Sequence, residues 1–125
     1  MDKKIYFLIL YLIIDLIYVN ISRDVYDNTT VNIQGSPMKV RPYSVLFAYL
    51  SMLLGWYYFV TPKIKSKDYY NAITTGIIYG LSVYGTFNFT CNAMFNNWNT
   101  GILIRDLTWG ISCSIFITLL YSYYI

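Results

Sequence analysis

Four apolar runs, separated by short polar segments, are the feature of this sequence that most restricts its fold. They cover residues 5–22, 43–61, 69–91 and 102–124. A helix of about 20 apolar residues crosses a hydrocarbon layer of about 30 Å, so each run has roughly the length of one membrane span. Antiparallel helices with short links form compact bundles. The sequence therefore predicts an all-α fold, an integral membrane bundle of four transmembrane helices, in a single multi-pass domain covering residues 1–125.

The composition indicates which surroundings and partners suit such a chain. Of its 125 residues 57% are hydrophobic and 12% are charged, whereas a soluble domain carries about 25% charged residues. Tyrosine occurs fifteen times, and its ring favours the membrane–water interface. The net charge of +3 is spread over single cations and short loops, which argues against nucleic acid and for anionic headgroups. We expect membrane lipids as partners, with further copies of the chain or other membrane or virion proteins.

The residue inventory offers little to catalysis or metal binding. The chain has no histidine and no glutamate, and it carries neither an H-E-x-x-H nor a G-x-S-x-G motif. Cys91 and Cys113 lack C-x-x-C spacing and are expected to be small buried apolar residues. We therefore expect no enzymatic activity, no cofactor and no metal site. A pair of Asp15 and Asp106 acting as an aspartyl dyad is the enzymatic alternative.

The segment 23–42 is the longest polar stretch. It is rich in turn-forming residues and is predicted to be a polar non-cytoplasmic loop, long enough for a small surface structure such as a hairpin. One side of the predicted bundle carries five cations and the other carries four: Lys3, Lys4, Lys63, Lys65 and Lys67 against Arg23, Lys39, Arg41 and Arg105. The positive-inside rule then places both termini in the cytoplasm.

Small residues indicate where helices approach one another. Ser51-x-x-x-Gly55 and Gly76-x-x-x-Gly80 place two small residues one turn apart, which allows close packing in lipid. The full set of predicted packing positions is Ser51, Gly55, Gly76, Gly80, Gly85 and Gly110.

Polar side chains within the predicted spans form the candidate functional site. The set is Asp15, Tyr84, Asn88, Arg105, Asp106 and Trp109. An ionisable group in a span costs roughly 2.5–3.5 kcal/mol on insertion scales and is by default a functional-site hypothesis. In the first span, the face shared by Tyr11, Asp15, Tyr18 and Ser22 should point at protein rather than at lipid.

Two functions remain open for this site, besides the enzymatic one. In the first, Asp106 accepts hydrogen bonds from Tyr84, Asn88 or Trp109 in the non-cytoplasmic half, with Asp15 deeper. The cluster then fixes the helix register, and the protein is a structural, scaffold or assembly component of its membrane. In the second, Asp15 and Asp106 take and release a proton or cation in a small channel or transporter. Buried polar groups in membrane bundles often satisfy one another, which favours the first.

Arg105 is expected to act differently from these residues. Neighbours on a helix do not face each other, so it should not pair with Asp106. A long cationic side chain near a helix end extends toward the headgroups.

Two motifs at a fixed separation resemble those of a known family. The run YGTFNFT at positions 84–90 is followed by Asp106-x-x-Trp109-Gly110, and Asp15 matches the acid of the family's first helix. Over nearly its whole length the chain resembles the small predicted membrane proteins of bacteria and giant viruses known as domain of unknown function 2177. The resemblance implies a four-helix membrane fold and supplies no activity. Asn88 stands where that family usually has Asp, so position 88 cannot carry a proton here.

The sequence also bears on location. Its bias toward Ile, Asn, Tyr and Lys is typical of an AT-rich genome such as that of a giant virus. We expect a viral internal membrane or a host intracellular membrane, with a bacterial inner membrane as the alternative.

Overall fold

The computed structural model describes residues 2–125, and that range is all-helical without a β-strand. The α-helices within it are α1 (Lys3–Ile21), α2 (Arg23–Gln34), α3 (Pro42–Gly55), α4 (Tyr69–Gly80), α5 (Thr86–Met94) and α6 (Thr100–Tyr124). The predicted all-α class is confirmed.

Two π-helical turns lengthen the middle helices. α3 continues through the π turn Trp56–Val60 into a 3-10 turn, Thr61–Lys63. α4 continues through the π turn Leu81–Gly85 directly into α5. A π turn inside an α-helix changes the direction of the side chains that follow it and is frequent at functional sites.

Three helical segments are long and apolar enough to cross a membrane. They are Lys3–Ile21, Pro42–Lys63 and Thr100–Tyr124, and their 18-residue apolar stretches have mean hydropathies of 1.9, 1.4 and 1.5 respectively. These segments coincide with the first, second and fourth predicted spans. The third predicted span, 69–91, lies in the continuous helix from α4 to α5, where asparagine and threonine side chains lower the hydropathy.

α2 occupies most of the segment for which the sequence predicts a polar loop or hairpin. The residue types of α2 are mostly Val, Thr, Asn and Asp, which are poor helix formers, and its stability must come from contacts with the rest of the molecule. Thr29, for example, is buried. Gly35 ends the helix in the left-handed region with φ 76°, and its N–H donates to the Val31 carbonyl at 2.9 Å. Within the segment 23–42, irregular backbone is thereby confined to residues 35–41.

Contacts between chain segments show that the helices alternate in direction. The rings of Phe7 and Tyr121 lie 5.3 Å apart, so the start of α1 meets the end of α6. The backbone N–H of Lys67 donates to the Ser122 carbonyl at 2.9 Å, which brings the lysine-rich loop to the same place. We call this side of the bundle the terminal end and the opposite side, which carries α2, the α2 end.

α4 and α6 pack against each other more closely than any other two of the described helices. A Cβ atom added to Gly76 would lie 2.7 Å from the Ile115 Cα, and one added to Gly80 would lie 2.7 Å from the Gly110 carbonyl oxygen. We call this contact the α4–α6 seam. The apolar core adjoins it and consists of Tyr11, Trp56, Val60, Ile64, Cys113, Ile117 and Tyr121.

Candidate functional site

Asp15 lies in the interior of the bundle, on the buried face of α1. Its side chain is 4% exposed. One carboxylate oxygen accepts hydrogen bonds from the Tyr84 hydroxyl and from the Trp109 indole Nε1, the latter at 3.0 Å. The other oxygen accepts from the Tyr49 hydroxyl at 2.7 Å. We call Asp15 with these three donors the lower tier.

Asp106 is the centre of a second such group, nearer the α2 end. It is 2% exposed. The Tyr18 hydroxyl donates to Oδ1 at 2.5 Å, while the Tyr26 hydroxyl and the Asn88 Nδ2, at 3.1 Å, donate to Oδ2. We call Asp106 with Tyr18, Tyr26 and Asn88 the upper tier, and both tiers together the carboxylate cluster.

All six donors in the carboxylate cluster are uncharged. Within residues 2–125 the ion pair of the structure is Arg23 with Asp27, at 3.9 Å, and neither Asp15 nor Asp106 has a cationic partner there. A buried carboxylate is tolerated when several hydrogen bonds satisfy its lone pairs. Three donors on each carboxylate supply that stabilisation through dipoles alone.

Tyr26 in α2 remains a hydrogen-bond donor over the ordinary pH range. Burial raises the pKa of the Tyr26 phenol far above its usual value, and the bond to Asp106 raises it further. An ionised phenol beside a carboxylate would add like-charge repulsion in a place shielded from water. The neutral phenol is therefore the form that holds α2 against the bundle.

An aromatic pair joins the two tiers. The rings of Tyr18 and Trp109 stack with centroids 4.8 Å apart and planes 7° from parallel. Tyr18 donates to Asp106 and Trp109 donates to Asp15. Each ring is therefore fixed both by stacking on the other ring and by a hydrogen bond to its own carboxylate.

The π turn and a glycine make room for Tyr84. Tyr84 lies in the π turn Leu81–Gly85, and its ring occupies the space that a Cβ atom at Gly110 would take. Any side chain at position 110 would displace the ring that donates to Asp15. Gly110 therefore serves the cluster as well as the α4–α6 seam.

The structure brings together five of the six predicted site residues: Asp15, Tyr84, Asn88, Asp106 and Trp109. Of the three alternative donors expected for Asp106, Asn88 does donate to it, whereas Tyr84 and Trp109 donate to Asp15. Depth explains the difference. Trp109 is three residues further along α6 than Asp106, about 4.5 Å at 1.5 Å per residue, and therefore lies level with Asp15.

Arg105 lies apart from the cluster. Its side chain is exposed, and its guanidinium donates to the Ser22 Oγ at 3.1 Å. Asp106, the next residue, points into the bundle, in agreement with the expectation that the two do not pair.

Three of the six donors were not predicted to be site residues: Tyr18, Tyr26 and Tyr49. Tyr18 was already on the predicted buried face of α1, which is confirmed, since Tyr11, Asp15 and Ser22 are all buried. Tyr26 was hidden by the loop interpretation of its segment. Tyr49 is a tyrosine in the middle of an apolar span, away from both interfaces, and that depth was the available signal.

The predicted packing positions differ in their surroundings. Gly76, Gly80 and Gly110 lie in the α4–α6 seam, as described above. A Cβ at Gly55 would meet the Tyr79 ring, with the closest atom at 3.3 Å, and one at Gly85 would meet the Leu81 side chain at 3.2 Å. Ser51 is exposed and donates to the Phe47 carbonyl of its own helix.

Metal-binding and cysteine chemistry have little to build on. Cys91 and Cys113 are buried free thiols. Among residues 2–125 no three Cys, Asp, Glu or His side chains are grouped so that they could hold a metal ion.

The fold and the cluster define a class, that of helical membrane proteins with a buried polar core. A family model described as "Predicted membrane protein (DUF2177)" matches residues 4–123. The chain belongs to this family, and the family predicted from the two motifs is confirmed. Comparisons with curated proteins and with solved structures found no match.

Proposed function

We propose that this chain is a structural component of its membrane, a four-span protein whose carboxylate cluster fixes the helices in one register. In this arrangement the continuous helix from α4 to α5 is the third span in chain order, in addition to the three apolar segments. The alternation of helix direction then puts both termini on one side, together with the five lysines of the terminal end. By the positive-inside rule that side is cytoplasmic.

One observation carries the structural function: the cluster takes a hydrogen-bonding residue from α2 and from each of the four long helices. α1 contributes Asp15 and Tyr18, and α6 contributes Asp106 and Trp109. The remaining donors are Tyr26 from α2, Tyr49 from α3, Tyr84 from the π turn Leu81–Gly85 and Asn88 from α5. In lipid the hydrophobic effect does not pull helices together, so hydrogen bonds and close packing decide their association. A network with members on all these elements specifies one arrangement of the whole chain.

A structural protein of this kind acts through the outer surface of its helix bundle. Large apolar side chains such as Ile9, Phe47 and Ile78 are exposed on the bundle, where lipid or another membrane protein can cover them. We assign the chain a scaffold or assembly role, with further copies or other membrane proteins as partners and without a catalytic reaction. A viral internal membrane or a host intracellular membrane is the proposed location, with a bacterial inner membrane as the alternative.

A line of small polar residues favours a second candidate, a proton or cation pathway. Ser114, Thr118 and Ser122 follow Asp106 along α6 and are fully buried. The hydroxyls of Tyr11 and Ser114 have no hydrogen-bond partner among the described residues. Together these groups extend from the carboxylate cluster to the terminal end.

Two features of this line weaken it as a pathway. Thr118 Oγ1 donates to the Ala72 carbonyl at 2.9 Å, and Ser122 Oγ donates to the Lys65 carbonyl at 2.6 Å. Hydroxyls that are bound to backbone tie helices together and are not free to carry a proton. The structural function accounts for both ends of the line.

The test compares Asp106→Asn with Asp24→Asn, the same chemical change at an exposed acid of α2. Asn at position 106 keeps the shape but puts an amide where donors converge. We expect it to lower the free energy of unfolding by about 2 kcal/mol, taking the average of about 0.6 kcal/mol for each of three bonds. Thermal unfolding in detergent, followed by circular dichroism, measures the difference. Asp24→Asn should leave the melting temperature unchanged.

Ion flux into liposomes containing the purified protein distinguishes the two candidates. The structural function predicts no proton or potassium flux by the wild type. A flux that disappears in a well-folded Asp15→Asn or Asp106→Asn variant would establish the pathway instead. Asp106→Asn with unchanged stability would contradict the structural role directly.

A further inference from the structure

A groove of about 370 Å³ runs along the outside of α6 beside α1. It is lined by Tyr18, Ile104, Arg105, Thr108, Trp109 and Ser112. The groove opens outward from the bundle, at the depth of the carboxylate cluster. In a membrane it faces the acyl chains at one end and the headgroups at the other.

Arg105 supplies a cation at the headgroup end of the groove. It is five residues from the start of α6 at Thr100, roughly 8 Å along the helix. A guanidinium has five N–H donors, and within residues 2–125 its hydrogen-bond partner is the Ser22 hydroxyl. No carboxylate of the described residues forms an ion pair with it. A charged group at this depth therefore has spare donors and no counter-charge from the protein.

The remainder of the groove suits a hydrocarbon chain. One wall is the flat stacked pair of Tyr18 and Trp109. The floor between Arg105 and Ser112 extends about 10 Å toward the bilayer centre at 1.5 Å per residue. Thr108 and Ser112 are small and keep this path open, whereas larger side chains at either position would fill it.

We propose that this groove binds one phospholipid with an anionic headgroup. Its phosphate accepts a forked pair of hydrogen bonds from Arg105, and an acyl chain lies over Thr108 and Ser112 against the Tyr18–Trp109 pair. An anionic headgroup is specified because a zwitterionic lipid neutralises its own phosphate charge, leaving that of Arg105 uncompensated. The same two rings hold Asp106 and Asp15, so the lipid would contact the carboxylate cluster from outside. This site does not depend on whether the protein is a scaffold or a pathway.

The test is native mass spectrometry of the purified protein titrated with phosphatidylglycerol or with phosphatidylcholine. The wild type should retain one phosphatidylglycerol more strongly than one phosphatidylcholine. Arg105→Gln should weaken phosphatidylglycerol binding roughly tenfold or more, the scale of a lost charged hydrogen bond. Arg41→Gln, which removes an exposed cation at the same end outside the groove, is the matched control and should bind as the wild type does.

Two further variants separate the groove from general charge. Ser112→Leu fills the acyl-chain path without changing the charge, and it should also lose binding. Arg105→Lys keeps the charge but not the forked geometry, and it should bind at an intermediate level. Equal losses in Arg105→Gln and Arg41→Gln would reduce the effect to surface electrostatics and overturn the site. Equal binding of the two lipids by the wild type would overturn it as well.

Discussion

The carboxylate cluster and the α4–α6 seam hold helices together by opposite means. In the seam, backbone meets backbone, and a single added carbon at Gly80 would lie 2.7 Å from the Gly110 carbonyl oxygen. In the cluster, long aromatic side chains reach across the bundle to two carboxylates, Asp15 and Asp106. The seam requires glycines, which have no Cβ atom, whereas the cluster requires specific side-chain donors. Adding a methyl group should therefore destabilise the seam, and removing a donor should destabilise the cluster.

The largest expected effect is that of Gly80→Ala. The new methyl group would meet backbone atoms of Gly110 and Ile111, which cannot rotate away, so α4 and α6 must separate. Overpacking typically costs 1–3 kcal/mol, and we expect about 3 kcal/mol here because the obstacle is backbone. Thermal unfolding in detergent measures it.

Gly85→Ala is the matched control for this prediction. It makes the same change in the same continuous helix, but its methyl group would meet the flexible Leu81 side chain at 3.2 Å. We expect a loss below about 1 kcal/mol. Equal melting temperatures for the two variants would show that the seam is not limited by backbone contact.

The sequence predicted the seam better than the hydrogen-bond partners in the cluster, and the reason is physical. Gly76 and Gly80 follow a local rule, small residues one turn apart, that needs no knowledge of the neighbouring helix. The buried face of α1 around Asp15 follows a local rule as well. The partner of each carboxylate depends instead on the relative depth of separate helices, and an error of one turn assigned Trp109 to Asp106 rather than to Asp15.

The helical structure of α2 was not predicted from the sequence, for a related reason. Its sequence has low helix propensity, and its position depends on contacts such as the bond from Tyr26 to Asp106. Such long-range contacts cannot be seen in the spacing of residues within one segment. Ser22 and Gly35 flank the helix in the structure, but the turn-forming residues near them led to the prediction of a loop.

The two tiers can be separated by double-mutant cycles. Tyr84→Phe removes a donor from Asp15 and Tyr26→Phe removes one from Asp106, each at an expected cost of about 1 kcal/mol. In combination with Asp15→Asn, Tyr84→Phe should be non-additive because both changes affect one hydrogen bond. Tyr26→Phe with Asp15→Asn should be additive. Unfolding free energies of the single and double variants give the coupling.

Tyr58→Phe is the control for loss of a tyrosine hydroxyl, since Tyr58 is 63% exposed. It should change the unfolding free energy little. Strong coupling between Tyr26 and Asp15 would mean that the stacked Tyr18–Trp109 pair transmits changes fully, and the two tiers would then be one unit.

The smallest expected effect lies outside both regions, at the N-terminus of α1. The Asp2 carboxylate accepts from the Lys4 backbone N–H at 3.0 Å and from the Tyr57 hydroxyl at 2.8 Å. These two bonds, the backbone one first, hold the pKa of Asp2 below its usual value of 3.8. A lowered folded-state pKa means stability that is present above 3.8 and is lost as the pH falls through the folded-state pKa.

Asp2→Ala should therefore lower the melting temperature slightly near neutral pH, and the difference from the wild type should shrink in acid well below 3.8. The other acids titrate in both proteins and cancel in the comparison. A difference that stays constant across this pH range would assign the effect to the shape of the helix cap rather than to its charge. Because Asp2 is fully exposed to solvent at the terminal end, its hydrogen bond from a tyrosine should contribute less to the free energy of unfolding than the buried ones in the cluster. Comparing the two contributions measures how much of the cluster's stabilising effect comes from burial rather than from the hydrogen bond itself.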